Sequence, residues 1–321
     1  MQLQDYPMRM YRVKPIIIFS AIGMPTDFVV YKSLKKWRDD CQINVITSKK
    51  YAPYWREHAD KIITTRGNSR GFTVTFIQKL IRRSKLLMVL IRRIGQLRIM
   101  SSFNYILMPP HNSRHFYYRK ALLREDPERP IFLVDSRDLI FQISPKEIAS
   151  SSSLTKGVVL FDEGDHSFKD GRQQKNGLSL ANLNWALELL NHKTEKITNL
   201  LDKDIINSGC IFGISKDLQD FLKLSEHTLL ASNYANTSLL DQASVNYVAY
   251  CLESNAKIMR NGEIVLNMCG VVDGDIELRS GIFIHNEKVV PIVHQFDRYG
   301  IWDSDVNFKF TKREYRIQSH S

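Results

Sequence analysis

The chain lacks any CxxC pair. Its four cysteines, Cys41, Cys210, Cys251 and Cys269, stand far apart and read as reduced, buried thiols of a cytosolic protein. No run reaches about 18 uncharged apolar residues, the length a membrane-crossing helix requires. The N-terminal stretch MQLQDYPMRMYRVKPIIIFSAIG holds a short, strand-like apolar run without the layout of a cleavable signal. GxGxxG, the Walker loop, GxSxG and HExxH are all missing. Their absence removes the common signatures of dinucleotide binding, nucleotide hydrolysis, ester hydrolysis and zinc proteolysis. No internal repeat is present, and the serine run at 150–153 reads as an exposed loop rather than a linker.

What is present fits a soluble globular protein of 321 residues, 43% hydrophobic and 25% charged, read as one domain over 1–321. The net charge of +11 points to a polyanionic partner: nucleic acid, anionic lipid or a phosphorylated ligand. Much of that charge is local, because residues 66–100 carry nine Lys/Arg and no acidic residue. At about 100° per residue, Phe76, Ile77, Leu80, Ile81, Leu87, Met88, Leu90, Ile91 and Ile94 share one helical face. Lys79, Arg82, Arg83, Lys85, Arg92 and Arg93 share the other, and Leu86 and Val89 break the pattern. Such a helix suits an anionic membrane surface, where each surface Lys/Arg contributes roughly 1 kcal/mol. It equally suits a core-packed helix with a solvated basic face. Nucleic acid is not expected, because solvent-facing aromatics are not interleaved and no zinc or helix-turn-helix signature accompanies the charge.

Along the chain, apolar β-branched runs alternate with helical patterns, the β-α-β rhythm of a parallel sheet. Strands are expected at KPIIIFSAIG, QINVITS, DKIITT, FNYILMP, PIFLVDSRD, VVLFDEG, EIVLNMC and VVPIVHQFDR. Helices are expected over Asp27–Arg38, HFYYRKALLRE, LSLANLNWALELL and SLLDQASVNYVAYC, and INSGCIFGISKDLQDFL reads as strand and turn feeding a helix.

Chemistry concentrates at VDSRD. Asp135 and Asp138 end an apolar strand, where α/β folds place ligand clefts, and two carboxylates there can hold a hard divalent cation together with diphosphate oxygens. The competing reading is a structural ion pair with Arg137. His294, at a strand end near the C-terminus, offers a third metal ligand. Asn207-Ser208-Gly209 reads as a small turn that a sugar can approach closely, and Asp241-Gln242 opens a helix with polar ends toward a cleft. Asp162, Glu163, Asp165 and His166 add a second acidic cluster.

This order of parts resembles the GT-A glycosyltransferases that use nucleotide-sugar donors, above all the glycogenin-type retaining enzymes and bacterial surface-polysaccharide transferases. The resemblance spans residues 14–300. It implies an α/β, Rossmann-related GT-A-like fold: a mixed, mainly parallel sheet flanked by helices, here with the basic amphipathic helical insertion at 66–100. It further implies that Ser20, Ala21 and Gly23 cradle the nucleoside and that Asp135, Asp138 and His294 bind Mn²⁺ or Mg²⁺. Arg114, Asp135, Arg137, Asn207, Ser208 and Gly209 would contact the nucleotide-sugar, with Arg114 pairing with donor phosphate or Asp135, and Tyr117 matches an aromatic position of the group. Asp241 and Gln242 would stabilise an oxocarbenium-like transition state, and Glu163 would orient donor sugar or acceptor. The aspartates stand at i, i+3 rather than the usual i, i+2, so Arg137 is a metal-free alternative for meeting the diphosphate. The implied partners are a UDP-sugar donor and a glycan or lipid-linked glycan acceptor. The implied location is cytoplasmic, peripheral at the inner face of the plasma membrane, held by 76–94. The alternative is a non-catalytic glycan- or nucleotide-binding protein of the same fold.

Overall fold

The computed structural model describes residues 13–22, 29–65, 108–151, 154, 157–173, 177–235, 238–270, 276–279 and 281–295. Gly23, the insertion at 66–100 with its 76–94 segment, residues 103–107 of the strand expected at FNYILMP and the polar tail lie outside them.

Four strands run parallel in the order β3-β2-β1-β4: β1 (Ile16–Ala21), β2 (Gln42–Ser48), β3 (Lys61–Thr65) and β4 (Pro130–Asp135). Beyond β4 come β7 (Asp204–Ile214), β6 (Val158–Ser167) and β8 (Ala256–Met259). β7 is antiparallel to both its neighbours, and β8 returns parallel to β6. A mixed, mainly parallel sheet flanked by helices is the architecture that the resemblance implied.

Both faces of the sheet are covered, which is why its strands read as continuous apolar runs rather than alternating ones. Ile17, Phe19, Phe132 and Val134 face a cluster holding Leu34, Trp55 and Phe141. Ile16, Ile18, Ile131 and Leu133 face the opposite cluster with Tyr117, Leu122, Phe221 and Val245. Each such side chain contributes roughly 1.5–3 kcal/mol by leaving water. The first cluster draws on α1 (Val29–Lys35) and α2 (Ala52–Trp55); the second draws on α3 (Pro110–Leu122), α8 (Ser215–Ala231) and α9 (Asp241–Cys251).

Between β4 and β6 the chain forms β5 (Leu139–Phe141) and α4 (Pro145–Ala149), and after β6 come α5 (Phe168–Arg172), α6 (Gly177–Leu189) and α7 (Thr194–Leu201). β5 leaves the main sheet and joins β9 (Val265–Asn267) and β13 (Ile292–His294) in the order β5-β13-β9. This small sheet sets His294 opposite Leu139, the residue after Asp138, and opposite Asn267. Gln142 anchors it, donating from Nε2 to the Val290 carbonyl at 2.7 Å and accepting at Oε1 from Phe283 N at 2.8 Å. A third sheet comprises β10 (Ile276–Arg279), β11 (Ile282–His285) and β12 (Lys288–Val289). No helix among the described residues is long and apolar enough to cross a membrane.

Two expectations change. Asn207–Cys210 is no turn: it lies inside β7, paired to β6 at Asn207 and to β4 at Cys210. Asn, Ser and Gly favour turns locally, but hydrogen bonds from both sides of the sheet override that preference. All four cysteines are free thiols, yet Cys251 and Cys269 are half-buried rather than buried.

Candidate functional site

Asp135 ends β4 beside Ser20 of β1, at the carboxyl edge of the parallel strands. Asp138 follows in the turn before β5, and Gln295, at φ 62, donates its backbone N–H to the Asp138 carbonyl at 2.8 Å. β13 thereby delivers His294 between the two aspartates. Its Nε2 stands 3.4 Å from Asp138 Oδ1 and 3.6 Å from Asp135 Oδ2. The three ligand atoms lie within 4.8 Å of one another, and among the described residues no other trio of acidic, histidine or cysteine side chains does this. His294 and Asp138 are buried, while the Asp135 side chain keeps 30% of its surface exposed.

The trio fits a divalent cation. His294 Nε2 is buried without a hydrogen-bond partner, an atom that costs about 1–3 kcal/mol unless something meets it. Two carboxylate oxygens and an imidazole nitrogen are donors that Mn²⁺ or Mg²⁺ accepts. Burial works against the imidazolium, but the negative charges of Asp138 and then Asp135 outweigh it and raise the pKa to about 9. Burial likewise resists ionisation of Asp138, and His294 outweighs it, so that carboxyl sits below its ordinary range.

Behind the trio lies Arg114. α3 opens on Pro109-Pro110, which suits a helix start because the missing N–H has no intrahelical partner there. One turn later Arg114 Nη1 donates to Asp135, and Nη2 donates to Asp241 Oδ2 at 2.6 Å, Ser208 Oγ at 2.9 Å and Ser208 O at 3.1 Å. Ser208 Oγ also donates to Asp241 Oδ2 at 3.2 Å. The Arg114 side chain is 5% exposed, so it stands behind the carboxylates rather than beside an open diphosphate site. Burial opposes every charge here, yet Arg114 keeps both Asp135 and Asp241 well below the ordinary carboxyl range. The two aspartates in turn hold the guanidinium charged against burial.

Gly209 makes room for His294. A methyl group at Gly209 would stand 2.3 Å from His294 Cε1 and 2.5 Å from Nε2. Next to it, Asn207 Oδ1 accepts from Gly209 N at 2.6 Å, and Asn207 Nδ2 donates to Glu163 Oε1 at 2.6 Å. Burial raises the Glu163 pKa, against the pull of Asn207 and Gln242. Gln242 Nε2 donates to Asn182 Oδ1 of α6 at 2.8 Å.

β7 therefore gathers Asn207, Ser208, Gly209, Glu163, Arg114 and Asp241 around the Asp135–Asp138–His294 trio. Other expected residues meet this network at its rim or not at all. Arg137 is 48% exposed, with its guanidinium 3.6 Å from Asp138. Ala21 is occupied through its carbonyl, which accepts from Thr47 Oγ1 at 3.3 Å. Tyr117 packs in the core beneath the sheet. Asp162 is used by the backbone, its Oδ1 accepting from Gly164 N at 2.9 Å and Asn261 N at 2.8 Å. His166 Nε2 meets the Cys269 carbonyl at 2.7 Å.

Sequence reading missed Asn267 and His115. Asn267, fully buried, stands 2.9 Å from His294 Nδ1, and its trace in the sequence is a lone amide inside the apolar strand EIVLNMC. His115 joins α3 to α8 and α9. Its Nδ1 meets Ser225 Oγ at 2.7 Å, Ser225 Oγ meets Ser244 Oγ at 2.7 Å, and Ser244 donates to the Asp241 carbonyl at 2.8 Å. Burial and the Arg114 charge lower the His115 pKa to about 4. The folded pKa lies below the unfolded one, so the unfolded chain binds more protons between them and stability falls as pH drops from about 6.5 to about 4. Urea unfolding of wild type against His115→Asn should diverge across that window, wild type losing about 3 kcal/mol more than the variant.

No family model and no curated protein matches this chain. Among solved structures it is similar to galactosyltransferase LgtC, crystallised in complex with donor and acceptor sugar analogues, at 12% identity and a TM-score of 0.46 over 94% of this chain and 99% of that one.

Proposed function

We propose that this chain is a retaining glycosyltransferase that moves a hexose from a UDP-linked donor to a lipid-linked or surface-polysaccharide acceptor. The observation that carries this reading is the trio Asp135, Asp138 and His294, with its unpartnered Nε2, at the carboxyl edge of β1 and β4. These three would hold Mn²⁺ or Mg²⁺, which supplies positive charge for a departing diphosphate.

The chain's own residues do the rest. Ser20, Ala21 and Gly23 take the nucleoside, and Arg137, on the exposed rim, reaches the diphosphate. Arg114 and Ser208 fix Asp241 as an anion, ready to stabilise positive charge developing on the sugar ring, with Gln242 beside it. Asn207 presents Glu163, whose buried carboxyl orients donor sugar or acceptor hydroxyl. The basic face of 76–94 would hold the enzyme at the inner face of the plasma membrane, where lipid-linked acceptors present their head groups and confinement raises their effective concentration.

Calorimetric titration with UDP, with and without Mn²⁺, tests the reading on wild type and Asp138→Ala. The expected result is binding that needs Mn²⁺ and disappears in the variant. Binding indifferent to metal would move the diphosphate role to Arg137. No binding of UDP under either condition would end the nucleotide-sugar reading.

A further inference from the structure

We infer that Asn267 is the positioning residue that makes His294 a metal ligand, by accepting the hydrogen bond of Nδ1–H and so turning the Nε2 lone pair toward Asp135 and Asp138. The inference rests on the metal-dependent site proposed above and extends it to a residue that touches neither metal nor substrate.

The orientation of the Asn267 amide is decided by its surroundings. Its Nδ2 donates to the Asp162 carbonyl at 2.7 Å. Its backbone N–H donates to Asn261 Oδ1 at 2.6 Å, and Asn261 Nδ2 donates back to the Asn267 carbonyl at 3.1 Å. Asn261 is itself tied to Asp162 Oδ1 through its backbone N–H at 2.8 Å. Flipping the Asn267 amide would set one carbonyl oxygen against another at Asp162, inside a fully buried site where neither could reach water. Oδ1 therefore faces His294, 2.9 Å from Nδ1, and the ring must donate there.

A neutral ring protonated at Nδ1 has its lone pair on Nε2, the atom found without a hydrogen bond beside the two carboxylates. Gly209 closes the other side, since any side chain on it would occupy the ring's position. Asn267 sets the tautomer and Gly209 the place. An amide also suits this position better than a carboxylate would, because two carboxylates already stand on the far side of the ring. A neutral acceptor fixes the proton without adding a third negative charge.

Two variants of the full-length chain separate this role from simple packing. Asn267→Leu removes the acceptor at His294 and the donor to Asp162. Asn267→Asp keeps an acceptor at His294 while it removes the donor to Asp162 and adds a negative charge. Titration with Mn²⁺ in the absence of nucleotide should show roughly 10- to 100-fold weaker binding for Asn267→Leu and near wild-type binding for Asn267→Asp. Melting temperature, measured alongside, should fall in both, because both lose the Asp162 contact. Mn²⁺ affinity that falls equally in both variants, or is unchanged in Asn267→Leu, would overturn the inference. So would a long-range proton–nitrogen spectrum of the Mg²⁺-loaded wild type placing the His294 proton on Nε2. A wild type that binds no Mn²⁺ at all would overturn the metal site itself, an outcome distinct from either of these.

Discussion

Gly209→Ala should abolish Mn²⁺-dependent UDP binding and lower stability by about 1–3 kcal/mol, although it adds a single methyl group. The new Cβ would lie 2.3 and 2.5 Å from two atoms of the His294 ring, far inside contact distance. The ring cannot yield in place, because it is buried and held by Asn267 on its other nitrogen. It must leave the trio, taking the third ligand with it. The double variant Gly209→Ala/His294→Ala checks the cause. With the ring removed, the closest remaining contact is Asn207 Oδ1 at 2.8 Å, the end of one side chain in place of two ring atoms at shorter range. Gly209→Ala should therefore cost clearly less stability in the His294→Ala background than alone, a coupling of about 1 kcal/mol or more. Equal cost in both backgrounds would place the strain elsewhere in β7.

Arg114→Met should be the most destabilising single change at the site, costing about 3–5 kcal/mol at neutral pH. Methionine keeps the volume of the stem but leaves Asp135 and Asp241 without the cation that offsets their burial. The effect should depend on pH in one direction. In the wild type both carboxyls have depressed pKa values, so Arg114 contributes stability that is present above the ordinary carboxyl value of about 4 and lost as pH falls below it. In the variant the largest charge that lowers them is gone while burial remains, so both values rise and the folded state takes up protons earlier on acidification. The gap between the two proteins should be widest near pH 7 and shrink toward pH 4, as measured by urea midpoints. A gap that stays constant with pH would mean that Arg114 acts through packing of its stem and not through charge.

Where the strands lie was legible from the chain alone. IIIFSA, QINVITS and PIFLV are apolar, β-branched runs too short for buried helices, and their alternate residues fill the two faces of one sheet. QINVITS was delimited to the residue. Helices such as α6 and α9 followed from apolar spacing and a polar start. These are local properties, because period and propensity depend on residues a few positions apart. Asp135, Asp138 and His294 were also nameable, the aspartates closing the apolar run of β4 and the turn behind it, the histidine the run of β13.

NSGC was misread for the same reason that the strands were read correctly. Asn, Ser and Gly carry a local turn signal, while the reason for each lies far off in sequence. Gly209 is small because His294 needs the space, Ser208 is polar because Arg114 lies 94 residues earlier, and Asn207 serves Glu163. Arg114 itself, in a helix that reads as basic and half-aromatic, gives no local sign that Asp241, 127 residues away, will close over it. By itself the sequence determined the mixed α/β sheet and the carboxyl edge at which its acids gather. The tertiary structure decided which charges are paired, which way Asn267 and His294 share their proton, and where a strand must do without a side chain. Contacts of that kind follow from the pairing of β7 beside β4 and of β13 between β5 and β9, which no window of neighbouring residues contains.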